Sequence, residues 1–131
     1  MVTKEALKMR VLTRGDRALF WIEKFCLYPN GPDKGKPVML SQAECWQVRQ
    51  LYDNPSGPDQ SASLTGPLAA YLALLHICGP EALQKEFQPH VDIDSWTVWR
   101  ATSERLQRVL KREGEAVICP RLGTRYPPVA A

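Results

Sequence analysis

Apolar residues recur along this chain at helical spacing in several separate stretches, divided by segments rich in proline and glycine. Ala18, Trp21, Ile22 and Phe25 repeat every three or four positions and predict a helix over Arg17–Tyr28, with Asp16 as its cap and Pro29-Asn30-Gly31-Pro32 as its stop. Ser41-Gln42-Ala43-Glu44 has the form of a capping box, in which hydroxyl and carboxylate satisfy each other's backbone donors. It starts a second helix that runs to about Asp53 and puts Cys45, Val48, Leu51 and Tyr52 on one face. Leu68–Ile77, apolar on most sides, predicts a buried central helix opened by Thr65 and Pro67. Gly79-Pro80 ends it and starts another short helix, Glu81 to about Phe87.

Asp92 or Asp94 then caps a long amphipathic helix, with Trp96, Trp99, Ser103, Leu106 and Leu110 on one stripe. Glu113-Gly114 stops it, and Ala116–Cys119 with the turn Pro120–Arg125 reads as a two-stranded hairpin. The expected fold is mainly α, about five helices with a small C-terminal β-hairpin, and its C-terminal half has the order of a winged helix. The expected organisation is an N-terminal arm and helical hairpin over 1–53, a linker over 54–63, and a winged-helix-like unit over 64–131, together one compact body.

Composition changes this picture little. At 131 residues, 44% hydrophobic and 24% charged, the chain has the size and balance of one folded domain. Cys26, Cys45, Cys78 and Cys119 lie far apart with no CxxC pair, which predicts reduced, buried thiols and no metal site. The run Leu68–Cys78 is too short to span a bilayer, and Met1–Lys8 has no signal-peptide core, so a cytoplasmic location is expected with no membrane contact.

Charge changes it more. The formal net charge is +3, yet from Arg100 to Arg125 seven Lys and Arg face three acidic residues, a local +4. A basic helix followed by a basic hairpin suits a polyanion: guanidinium forks hydrogen-bond phosphates and guanine edges, and cations release counterions from a duplex. The predicted nucleic-acid contacts are Thr97, Arg100, Arg108 and Lys111 on the helix, with Arg121 and Arg125 on the hairpin. Aromatic residues supply the alternative. Trp21, Tyr28, Trp96 and Trp99 are candidate contacts to a protein partner, since tryptophan and tyrosine dominate interface energetics.

Catalytic constellations are missing. His76 sits on the most apolar helix, and neither it nor His90 has a recognisable nucleophile or acid partner. No cofactor is expected, and no enzyme.

Residues 20–52 carry an aromatic-rich helix, a Pro/Gly loop ending in Gly35-Lys36-Pro37, the apolar Val38-Met39-Leu40, and a glutamine-bearing helix ending in Tyr52. This segment resembles the N-terminal segment of tailed-phage terminase large subunits. The resemblance implies a phage or prophage origin, and it implies that Gln42 or Gln47 stands where that family reads adenine. No GxxxxGK[ST] follows, and Pro37 stands where a phosphate loop needs a hydroxyl for magnesium, so the family's ATPase and nuclease roles do not carry over. The expected function is a non-enzymatic phage or prophage accessory protein that binds double-stranded DNA, related to genome packaging in the manner of a small terminase subunit. A homo-oligomer would suit such a role. The alternative is a phage-encoded adaptor or inhibitor of a host or phage protein, such as an anti-defence protein.

Overall fold

A computed structural model describes residues 13–53, 63–64, 66–80, 90–91 and 93–127. The expected helix over 81–87 and most of the expected linker lie outside them.

The first helix, α1 (Arg14–Phe25), starts and stops three residues earlier than its apolar spacing predicts. Thr13, not Asp16, is the cap: its hydroxyl accepts from Asp16 N at 3.1 Å, and the Asp16 carboxylate accepts from Thr13 N at 3.1 Å. At the far end, the chain turns extended at Cys26 and is captured by long-range backbone bonds. Leu27 N donates to the Ala101 carbonyl at 2.8 Å and Ser103 N to that of Phe25 at 3.3 Å. Tertiary pairing therefore wins over local helix propensity here.

The second helix, α2 (Gln42–Tyr52), begins with the capping box expected at Ser41 and Glu44 and buries Cys45, Val48, Leu51 and Tyr52 as predicted. It packs along α1. Gly15 allows their close approach: a Cβ there would lie 2.3 Å from Asp53 Oδ2 and would displace the carboxylate that accepts from Gly15 N.

A strand–helix–strand unit follows: β1 (Ser63–Leu64), α3 (Gly66–Cys78) and β2 (His90–Val91), with β1 and β2 parallel. Parallel strands need a crossover of a dozen or more residues, and α3 lies within it. Leu68 through Leu75 and Ile77 are all buried, so α3 is the central core element its uniform apolarity predicts.

The spacing predicts one long helix after Asp94; two short ones stand there, α4 (Ser95–Arg100) and α5 (Glu104–Gln107). The interruption is chemical. The Thr102 hydroxyl donates to the Trp99 carbonyl at 2.6 Å, and Ser103 is the extended N-cap of α5. Hydroxyl side chains that bond nearby backbone compete with helix continuation. Lys111 is thereby moved off the helix into a strand.

The expected hairpin is present and gains a third strand: β3 (Lys111–Glu113), β4 (Ala116–Cys119) and β5 (Thr124–Tyr126), antiparallel in that order. The fold is mainly α with this small C-terminal sheet. Its core is continuous, joining Leu19 and Ile22 of α1, Val48 of α2, Tyr71–Leu75 of α3, Val98 of α4 and Val117 of β4.

Candidate nucleic-acid and partner-binding surfaces

Cross-strand register decides which cations share a face. Lys111 pairs with Ile118, and Ile118 with Arg125, so the three side chains form one row across the sheet. Side chains directly opposite on paired strands stand on the same side. Lys111 and Arg125 are exposed and Ile118 is half-buried, so this row faces outward. With neighbouring strands about 4.8 Å apart, the two outer backbones are separated by about 10 Å. The next row, Arg112, Val117 and Tyr126, turns the other way, and Val117 is fully buried against the core.

Neighbouring groups constrain these cations only lightly. Lys111 Nζ lies 3.7 Å from Glu113 Oε2, and Arg108 Nη2 lies 3.9 Å from Glu104 Oε1, both pairs well exposed. Exposed pairs of that kind contribute little, about 0–1 kcal/mol. Arg125 Nε donates to the Pro127 carbonyl at 3.0 Å, leaving the rest of its fork available. Arg121 is exposed on the turn between β4 and β5.

Two predicted contacts stand elsewhere. Thr97 is only 5% exposed, and its hydroxyl donates to Asp94 Oδ1 at 2.6 Å. It closes the first turn of α4 instead of facing solvent. Arg100 is half-buried; its Nη2 donates to Asn30 Oδ1 at 3.2 Å and to Thr97 Oγ1 at 3.1 Å. That geometry ties α4 to the loop after α1, away from a helix face with Arg108 and Lys111.

The aromatic candidates separate as well. Trp21 is a core residue, 8% exposed, with its ring 5.4 Å from that of Phe25. The Tyr28 hydroxyl donates to the Met39 carbonyl at 2.8 Å and accepts from Met39 N at 3.0 Å, which closes the loop between α1 and α2. Trp99 is half-buried against the core. Trp96 alone of the four is open, 55% exposed, with the Arg112 guanidinium 3.5 Å from its ring centroid.

Sequence reasoning passed over two features. Trp46, 63% exposed, lines a recess of about 630 Å³ with Gln42 and Arg49, so of the two glutamines singled out, Gln42 lies in this recess. The second is the recess beside Trp96, walled partly by Tyr126. An aromatic on α2 outside its apolar stripe was the available signal for Trp46. Nothing local foretold that Tyr126 approaches Trp96.

Burial pushes Cys78 up to about 12 and Cys26 well above the ordinary thiol range, and it lowers His76. Among the described residues no group of three or more His, Cys, Asp or Glu is placed to hold a metal ion, and no helix is long and apolar enough to cross a membrane.

A fold of this kind is found in a bacteriophage large terminase. The crystal structure of the HK97 large terminase superposes with a TM-score of 0.62 at 20% identity, covering 91% of this chain and 28% of that one. The large terminase subunit of Enterobacteria phage HK97 is also 38% identical over 80 residues, which is 56% of this chain and 16% of that protein. The likeness to large terminase subunits seen in residues 20–52 is thus confirmed, and it extends well beyond them. This chain spans about a sixth of the relative's length. No protein-family model matches it.

Proposed function

We propose that this chain serves phage genome packaging as a terminase-like, non-catalytic module that holds double-stranded DNA on the outward face of its C-terminal sheet. The row Lys111–Ile118–Arg125 carries the proposal: two exposed cations are held by strand register on one face, where their long side chains can each neutralise a phosphate. Arg121 on the adjoining turn and exposed Arg108 just ahead of β3 add to the positive field. The likeness to a protein described as a large terminase subunit supplies the packaging context. Nucleotide hydrolysis through a GxxxxGK[ST] loop is not part of this reading, since these 131 residues hold no such motif.

Fluorescence anisotropy with a labelled duplex over a salt series tests it. Lys111→Ala with Arg125→Ala is expected to weaken binding for every duplex sequence and to reduce the log–log salt slope by about 2, roughly one for each phosphate deprived of its cation. Arg100→Ala serves as the internal contrast and leaves both affinity and slope unchanged. Equal binding by the double variant and the parent protein would sink the proposal.

A further inference from the structure

The recess beside Trp96 has a chemistry opposite to that of the basic row. Its walls are Trp96, Tyr126, Pro127 and Ile93, with Asp94 and Glu115 bringing carboxylates to it, and its volume is about 290 Å³. Small-molecule sites typically run from about 300 to 1,000 Å³, so this one has room for a single side chain and not for a cofactor. Its carboxylates repel phosphate, which sets the recess apart from a duplex-binding face.

Three observations bear on what it takes. First, among the described residues no cation lies within ion-pair distance of Asp94 or Glu115; hydrogen bonds from the Thr97 hydroxyl and N–H hold Asp94 in its charged form, with a smaller contribution from the more distant Arg100 guanidinium. A carboxylate offers about four acceptor sites, and capping α4 uses two of them. Second, Trp96 keeps 55% of its surface in solvent. Third, the indole already accepts a guanidinium: Arg112 lies 3.5 Å from its centroid, while its Nη2 bonds the Gly114 carbonyl at 3.1 Å. Arg112 is not a wall of the recess, so the opening beside the ring stays available.

We infer that this recess receives an arginine side chain of a partner protein, its guanidinium against the aromatic walls and hydrogen-bonded to the carboxylates of Asp94 and Glu115. Aromatic faces attract desolvated cations, and a planar guanidinium matches a carboxylate in two parallel hydrogen bonds. Tyr126 is held in place for this role by its hydroxyl, which donates to the Ile93 carbonyl. The inference does not require DNA binding, since no side chain of the basic row lines the recess.

The test uses the full chain and two small probes, N-acetyl-arginine amide and its uncharged isostere N-acetyl-citrulline amide, followed through the Trp96 indole N–H signal in a nitrogen–proton correlation spectrum. The arginine probe is expected to shift that signal saturably, and the citrulline probe to bind at least about tenfold more weakly. Asp94→Asn with Glu115→Gln keeps a capping oxygen at α4 and removes both charges; it is expected to abolish saturation while the melting curve stays cooperative. Absence of a saturable shift, or equal shifts from the charged and uncharged probes on the unaltered protein, overturns the inference whatever the variant does.

Discussion

Asp16, with no exposure at all, receives the Arg49 guanidinium at 3.2 Å, so the first turn of α1 is bound to the last turns of α2 through a buried charge. Asp53 strengthens the same junction from the other side, its oxygens accepting from Gly15 N and from the Thr13 hydroxyl, each at 2.8 Å. Removing one partner of a fully buried pair costs about 3–5 kcal/mol, but Arg49 is 36% exposed and Asp16 still accepts from Thr13 N, so the cost here is smaller. Arg49→Met removes the guanidinium from this carboxylate and is expected to destabilise by about 1–3 kcal/mol in urea denaturation. A midpoint within error of the parent protein would refute a structural role for the pair.

Tyr71 makes the opposite case. It is 1% exposed, and its hydroxyl has no hydrogen-bond partner among the described residues. Burial accordingly holds the phenol above its ordinary pKa. An unsatisfied buried hydroxyl costs about 1–3 kcal/mol, so Tyr71→Phe is expected to hold or raise the melting temperature. Clear destabilisation would mean that the hydroxyl is bonded in solution.

The acid limb of the stability curve should report Asp94. Hydrogen bonds from Thr97 keep its carboxyl below the usual carboxylate range in the folded protein. A depressed folded pKa stabilises above the unfolded value, near 4, and that contribution disappears as pH falls through the folded one. Asp94→Asn keeps a cap that does not titrate. Between neutral pH and about pH 3 it is therefore expected to lose less stability than the parent chain, measured by thermal melts across the series.

Thiol chemistry gives a simple check on the core. Cys26, Cys45 and Cys119 are buried, and Cys78, half-buried, donates from its Sγ to the Leu74 carbonyl at 3.2 Å. The thiolate is the reactive form, and burial disfavours it at Cys26 and Cys78. Iodoacetamide at pH 8 should label the native chain far more slowly than the urea-unfolded one, with Cys78 modified first by mass spectrometry. Rapid labelling of Cys26 in the native state would contradict the packing of α1 on α3.

Much of this architecture was legible in the residues because the deciding forces are local. Ser41 and Glu44 satisfy each other three residues apart, and the unbroken apolarity of Leu68–Leu75 can be accommodated only inside a core. What escaped is of two kinds, local hydroxyl bonds that apolar spacing does not reveal and strand pairings that depend on register. Thr97 reads as a polar position on a helix face, but it is the residue whose N–H and hydroxyl meet the cap at Asp94, so it turns inward. Thr102 and Ser103 fit a helical stripe by spacing, yet one bonds back to Trp99 and the other starts a new helix. The parallel strands are two residues each, too short for any period to show. Lys111 and Arg125 stand out in the sequence, but as helix and wing-tip groups; their alignment through Ile118 depends on a register visible only once the strands pair.

The backbone bonds that hold residues 25–27 against 101–103 join the beginning of the described chain to its C-terminal third. Heat should consequently melt both sides of the 54–62 stretch in a single calorimetric event. Neither side is expected to survive as an autonomous fragment, and mixing the two severed pieces should restore the native fold that each alone is missing.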